Sequence, residues 1–195
     1  MKKEEQQSIR AYRKEMEKVL KPDRFEHSLG VAYTAASLVM RFGGDVNRAL
    51  TAGILHDCAK CLDHDEQLRI CKKQNIEVTE YELRNKKLLH AKTGAYLAAH
   101  KYGVTDPEVI SAIRWHTTGR PGMTQLEKIV FLADIIEPAR KVFPEMDEIR
   151  REIFADLDRG LSITLTYLLE YLQKSGEELD PMTEDTWKYY NKDRL

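Results

Sequence analysis

Histidine and aspartate side chains stand in stretches of the sequence that are otherwise apolar, where ionisable groups are costly. One apolar stretch ends in the adjacent pair His56 and Asp57, and a second contains a single acid, Asp134. His27 lies in a third stretch whose apolar residues follow helical spacing. An ionised carboxylate away from water is normally paired, neutralised or bound to a metal. We therefore expect these four side chains to meet around a metal ion.

Two further histidines, His90 and His116, lie on or at the ends of other predicted helices. Helical bundles build metal sites from inward side chains on facing helices. Imidazole and carboxylate ligands without thiolate suit Fe, Mn, Zn, Co or Ni, with Mg as a further candidate, better than a cysteine-type structural zinc. Six donors are enough for two ions that share Asp57. Two such ions about 3.5–4 Å apart promote phosphoryl chemistry, and we assign catalytic roles to Asp57, His90 and His116.

Basic and hydroxyl residues lie close in sequence to the ligand candidates and fit a phosphate substrate. Arg24 lies three residues before the first histidine, Lys60 lies three after the first aspartate, and Arg140 follows the helix of the second aspartate. Charged donors bind phosphate oxygens strongly. The alternative, that the basic residues are ordinary surface charges, stays open. The predicted substrate contacts are Arg24, Asp57, Lys60, Thr117, Thr118 and Arg140.

The elements that must position these residues are all predicted to be helices. Helical periodicity extends along the chain, and we find no alternating strand pattern and no Asn-Gly hairpin. Asp23 is predicted to cap a helix that ends before Gly43, and residues 46–59 to form the next helix. Asp106 and Thr124 are predicted to begin two later helices.

Length and composition limit the class of protein. The chain has 195 residues, which suits one domain with a real core. The formal net charge of -1 gives no general electrostatic case for nucleic-acid binding. No apolar run approaches the roughly 18 residues that span a bilayer. Three cysteines are too few for a disulfide scaffold, which indicates a reducing, cytoplasmic setting.

Less specific explanations exist for each residue. A single histidine in a helix is commonly a hydrogen-bonded core residue, and Asp134 could form a buried salt bridge. We interpret Cys58 and Cys61, spaced as Cys-x-x-Cys, as incidental because no thioredoxin-like context or second pair accompanies them. His64 is predicted to be a surface residue and His100 a structural one. The C-terminal aromatic residues Trp187, Tyr189 and Tyr190 are assigned to core packing or a dimer contact rather than to adenine stacking.

The order of the ligand candidates resembles the H…HD…D pattern of the HD-domain superfamily of metal-dependent phosphohydrolases. Several segments are more closely similar to the bacterial YqeK-type family, and the likeness covers about residues 20–175. These segments are residues 24–28, 52–60, 90–95, 116–119 and 128–140. The resemblance implies an all-α fold, a single HD-domain helical bundle over residues 1–195. Residues 176–195 would form a C-terminal extension.

The resemblance also implies an activity. Members of the family are described as homodimeric symmetrical diadenosine tetraphosphate hydrolases that contain iron and produce two ADP. The first metal would be held by His27, His56, Asp57 and Asp134, and the second by His90, His116 and the shared Asp57. The alternatives are an HD-type phosphohydrolase acting on another nucleotide and a non-catalytic nucleotide-binding module.

Overall fold

The computed structural model of the chain describes residues 3–141, 143–176 and 178–192, with side chains described from residue 8. All regular structure in these ranges is helical, which confirms the all-α prediction. The outer limits of the predicted domain, residues 1 and 195, lie outside the described residues. The helices are α1 (Lys3–Val19), α2 (Pro22–Phe42), α3 (Val46–Leu55), α4 (His64–Lys73), α5 (Glu80–Arg84), α6 (Leu89–His100), α7 (Pro107–Trp115), α8 (Gln125–Ile136), α9 (Met146–Ala155), α10 (Leu157–Ser175) and α11 (Pro181–Tyr190).

The helices pack around one hydrophobic core, with α2, α3, α7 and α8 at its centre. Helix α2 lies against both α3 and α8, and α7 also packs against these two helices. The contact between α2 and α3 depends on Gly53, because a Cβ there would overlap the Ala32 Cα and lie 2.7 Å from its backbone nitrogen. The close approach brings the C-terminal end of α3 up against α2.

The predicted helix starts are partly confirmed. Asp106 caps α7 and Thr124 caps α8, each accepting backbone N–H groups of the first turn. The assignment of Asp23 as the cap of α2 is wrong, because Lys21 occupies the capping position without a side-chain bond. Pro22 takes the first helical position, for which its fixed φ is already suited, and this moves Asp23 into the first turn.

Helix α3 is shorter than the predicted segment 46–59, since it ends at Leu55. The next residues form tight turns, in which the Cys58 N–H donates to the Leu55 carbonyl and the Lys60 N–H donates to the Asp57 carbonyl. The His56 ring also bonds the backbone of the last turn of α3. The His-Asp pair therefore lies just beyond the helix end, where both side chains are buried.

The described part of the C-terminal stretch, up to residue 192, contains α11 and packs on the rest of the chain. The Trp187 indole N–H donates to the Thr166 hydroxyl at 3.1 Å, and the Tyr190 hydroxyl accepts from the Met123 backbone N–H at 2.7 Å. These contacts agree with the packing role predicted for two of the three aromatic residues. Among the described helices, none combines the length and apolar character that a membrane crossing requires.

Candidate metal centre

All six predicted ligand side chains come together at one buried place. His27 comes from α2, His90 from α6 and Asp134 from α8, while the other three lie at the ends of α3 and α7. Two groups have donor atoms that all lie within 4.8 Å of one another and could each hold an ion. These groups are His27, His56 and Asp134, and His56, Asp57 and His116.

Asp57 belongs to the second group, and its two oxygens face different histidines of the centre. Its Oδ2 lies 3.4 Å from the His56 Nε2, and its Oδ1 lies 3.1 Å from the His90 Nε2 and 3.6 Å from the His116 Nε2. On the other side of the centre, the His27 Nε2 lies 2.9 Å from the Asp134 Oδ1. A carboxylate with one oxygen facing each ligand set is suited to bridge two ions.

Hydrogen bonds at the far side of two histidine rings fix which nitrogen is free. The Nδ1 atoms of His56 and His116 lie 2.7 Å and 2.8 Å from the carbonyl oxygens of Gly53 and Ile113. A carbonyl can only accept, so each Nδ1 carries the proton and each Nε2 keeps a lone pair directed into the centre. The Nε2 atoms of His27 and His56 are buried and form no aligned hydrogen bond with a described residue. Such atoms fit metal ligation.

The electrostatics of Asp57 and His90 favour the protonation states that a metal requires. Burial alone would raise the pKa of Asp57, but the imidazoles of His56, His116 and His90 outweigh it and hold the pKa well below its usual range. Burial lowers the pKa of His90 to about 4 despite the nearby aspartate. An ionised carboxylate and a neutral imidazole are the forms that bind a cation.

Glu137 belongs to the centre, although sequence reasoning did not assign it a role. Its side chain is 1% exposed, and its Oε1 lies 3.0 Å from the His27 Nδ1. Its Oε2 accepts from the Ala139 backbone N–H at 2.6 Å. A Cβ at Gly30 would overlap the same Oε2. This acid follows an apolar helix and precedes a proline, and that position was the sequence signal that could have identified it.

The predicted substrate contacts are only partly brought to the centre. The Arg24 Nη1 donates to the Asp57 Oδ2 at 2.8 Å, and the Arg140 Nη2 donates to the Asp134 Oδ1 at 3.2 Å. Both guanidinium groups are more than one-third exposed, so they lie at the edge of the centre and also reach solvent. Lys60 is exposed, and its backbone N–H donates to the Asp57 carbonyl.

The two threonines after His116 lie in a loop that has a hydrogen bond between its own residues. Thr117 is half-buried, and the buried Thr118 hydroxyl donates to the Gly119 carbonyl at 2.9 Å. Contact between these hydroxyls and a substrate stays a prediction.

The remaining histidines and cysteines lie apart from the cluster. His64 is half-buried beside the Leu83 carbonyl rather than fully solvated, and His100 is exposed and stacked on Tyr96. Cys58 is a buried free thiol and Cys61 an exposed one. Neither cysteine lies in a metal-binding group of the described residues.

Comparison with known proteins gives the family. Residues 24–139 match the family described as HD domain. Symmetrical bis(5'-nucleosyl)-tetraphosphatase from Bacillus subtilis is 39% identical over 86% of this chain and 88% of its own, and that from Staphylococcus aureus is 37% identical over 86% and 87%. A crystal structure from Clostridium acetobutylicum is described as a predicted HD superfamily hydrolase involved in NAD metabolism. It shares 35% identity and a TM-score of 0.89 over 94% of this chain and 96% of that one. The chain belongs to the HD-domain family and, within it, to the YqeK-type group.

Proposed function

We propose that this protein hydrolyses diadenosine tetraphosphate symmetrically, giving two ADP in a metal-dependent reaction. The observation that carries the proposal is the position of Asp57, which turns one oxygen to each of two histidine-containing ligand sets. The substrate is proposed from relatives that are 37% and 39% identical and carry the name symmetrical bis(5'-nucleosyl)-tetraphosphatase. The chain covers most of the length of both relatives.

The clustering of the six side chains supports the proposed metal ligands. His27, His56, Asp57 and Asp134 would hold one ion, and His90, His116 and the shared Asp57 would hold a second. A pair of divalent ions supplies water of lowered pKa and positive charge for the phosphate oxygens. Iron is proposed as the natural metal by family resemblance, and Mn, Co, Zn, Ni or Mg could take its place because the donors are nitrogen and oxygen.

The chain's own residues have separate tasks in this proposal. The imidazoles of His56, His90 and His116 and the carboxylate of Asp57 would surround the reacting phosphorus and exclude bulk water, because all four are buried. Arg24 and Arg140 orient the phosphates. A guanidinium has five N–H donors, so each can keep its carboxylate partner and bind a phosphate oxygen from the solvent side. Lys60, Thr117 and Thr118 are proposed as further phosphate contacts.

A product assay tests the activity. Full-length protein loaded with iron, manganese or cobalt is incubated with diadenosine tetraphosphate, and the nucleotides are separated by chromatography. ADP as the only product supports symmetrical cleavage, whereas ATP with AMP would overturn it. Absence of turnover with all three metals would transfer the proposal to another nucleotide, and tight binding without turnover would favour a non-catalytic nucleotide-binding module.

A variant of Asp57 tests whether this carboxylate is shared by two metal ions. We expect Asp57→Ala to lose both metal retention and turnover, because the remaining donors no longer share a charged ligand. Near-normal turnover in this variant would refute the mechanism. Lys174→Ala, an exposed change on α10, is the control and should behave as the wild type.

Several wider properties remain part of the proposal. We propose a cytoplasmic homodimer that acts on small nucleotides and needs neither nucleic acid nor a membrane. We also keep the division into a motif core over about residues 20–175 and a C-terminal extension over residues 176–195. Sedimentation of the metal-loaded protein would test the dimer.

A further inference from the structure

A positively charged cleft opens beside the metal centre. It has a volume of about 330 Å³, reaches His27, and carries the cationic side chains of Lys21, Arg24, Arg140 and Lys141. Of the acids lining it, Glu137 is buried and bonded within the protein, so that Asp23 is left as the exposed acid. Four cations at one cleft of a chain whose net charge is -1 make a localised site for a polyanion.

The two lysines have no role in the metal centre. Both are exposed, and neither ammonium forms an ion pair with a described residue. The two arginines, by contrast, bond the carboxylates of Asp57 and Asp134. Lys21 and Lys141 therefore extend the positive charge outwards from the centre, beyond the phosphate that would be attacked.

An aromatic groove continues from the same cleft. It has a volume of about 470 Å³ and shares Arg140 and Lys141 with the cleft. On its wall the rings of Phe143 and Tyr167 stack with centroids 4.3 Å apart and an interplanar angle of 14°. The groove is linked to the metal centre through Arg140, which lines the groove and donates to Asp134. Aromatic rings beside a cationic track are the usual means of holding a base and its phosphates.

We propose that the cleft and the groove together hold one nucleoside diphosphate half of the substrate. The outer phosphate would lie on Lys21 and Lys141, and the base would stack on the pair formed by Phe143 and Tyr167. The inference rests on the proposed function, since a dinucleotide cut at its centre needs a site for each ADP half. It assigns binding roles to four residues that sequence reasoning left without one.

Binding experiments with the metal-loaded, full-length protein test the half-site without depending on turnover. ADP, adenosine and inorganic tripolyphosphate are titrated by calorimetry. Tyr167→Leu should weaken ADP about 5-fold or more and leave tripolyphosphate unchanged, because only the base stacks. Tyr167→Phe keeps the ring and should bind ADP as the wild type does. Tyr33→Leu, at an exposed tyrosine on α2, is the matched control and should change neither ligand.

The lysines are tested in the same way. Lys21→Ala combined with Lys141→Ala should weaken both ADP and tripolyphosphate about 2- to 5-fold each and reduce the salt dependence of binding, as expected for exposed charges. Lys174→Ala should have no effect. Loss of tripolyphosphate binding without any change for ADP would overturn the assignment of the cleft to the nucleotide.

The outcomes separate this inference from the proposed function. If the wild type cuts diadenosine tetraphosphate but Tyr167→Leu binds ADP as tightly as Tyr33→Leu does, the half-site is wrong and the function stands. If no turnover occurs but ADP affinity depends on Tyr167, the proposed function is wrong and the site stands as a nucleoside diphosphate site. If Tyr167→Leu instead converts a dimer to a monomer at unchanged ADP affinity, a second copy of the chain covers the groove, which also overturns the half-site.

Discussion

Glu137 offers a test of how the protein orients His27, the first candidate metal ligand. Both carboxylate oxygens accept a bond, Oε1 from the His27 ring and Oε2 from the Ala139 backbone N–H. Glu137→Gln has nearly the same shape but only one acceptor oxygen, so either the ring N–H or the backbone N–H must face an NH₂ group. We expect His27 to lose its fixed tautomer or the backbone after α8 to shift.

The size of the effect follows from burial. Glu137 is 1% exposed, and a buried donor left without a partner costs about 1–3 kcal/mol of folding free energy. Removing the group that orients a ligating histidine lowers metal affinity about 10- to 100-fold, which is about 1.4–2.7 kcal/mol of binding free energy. Gly30→Ala should act in the same direction while leaving both partners in place, because its Cβ would displace the Glu137 Oε2.

Competition with a chromophoric chelator measures manganese affinity, and urea unfolding measures stability. Glu66→Gln is the matched control, since Glu66 also accepts a backbone N–H in a capping box but lies in α4, away from the centre. It should reduce stability without changing metal affinity. The reasoning is refuted if Glu137→Gln and Gly30→Ala unfold cooperatively and both bind manganese within about 2-fold of the wild type, a difference of about 0.4 kcal/mol.

Three further predictions concern the stability of the fold. Divalent metal at 100 times its dissociation constant should stabilise the protein by about 2.7 kcal/mol, and a chelator should remove the gain; an unchanged melting temperature would contradict a metal site in the native state. Gly53→Ala should lower the free energy of unfolding by about 1–3 kcal/mol, because the new methyl group overlaps Ala32. An unchanged urea midpoint of unfolding would contradict the close contact of α2 and α3. Lys92→Met should lower the free energy of unfolding by about 3–5 kcal/mol, because it leaves the buried carboxylate of Glu82 without the ammonium that now lies 2.5 Å away. The double variant Lys92→Met with Glu82→Leu should recover much of that free energy.

Sequence reasoning predicted which side chains would cluster because ionisable groups in apolar stretches are hard to explain otherwise. His27, His56, Asp57 and Asp134 stand out in this way, and His90 and His116 follow from helix ends and family resemblance. The helix starts at Asp106 and Thr124 were also predictable, since capping depends on residues only two or three positions apart. The start of α2 was misassigned because proline competes with aspartate for the first turn, and local chemistry alone does not rank the two.

The sequence by itself therefore determined the helical class, the candidate metal ligands and the family, all of which depend on local pattern. Tertiary structure decided which atoms meet. Glu137 lies 110 residues from the ring that it orients, and the aromatic groove joins residues on both sides of α9. The two directions of the Asp57 oxygens and the end of α3 at Leu55 depend on how α2, α3, α6 and α7 pack. Contacts between residues far apart in the chain arise from packing, which no single stretch of sequence encodes.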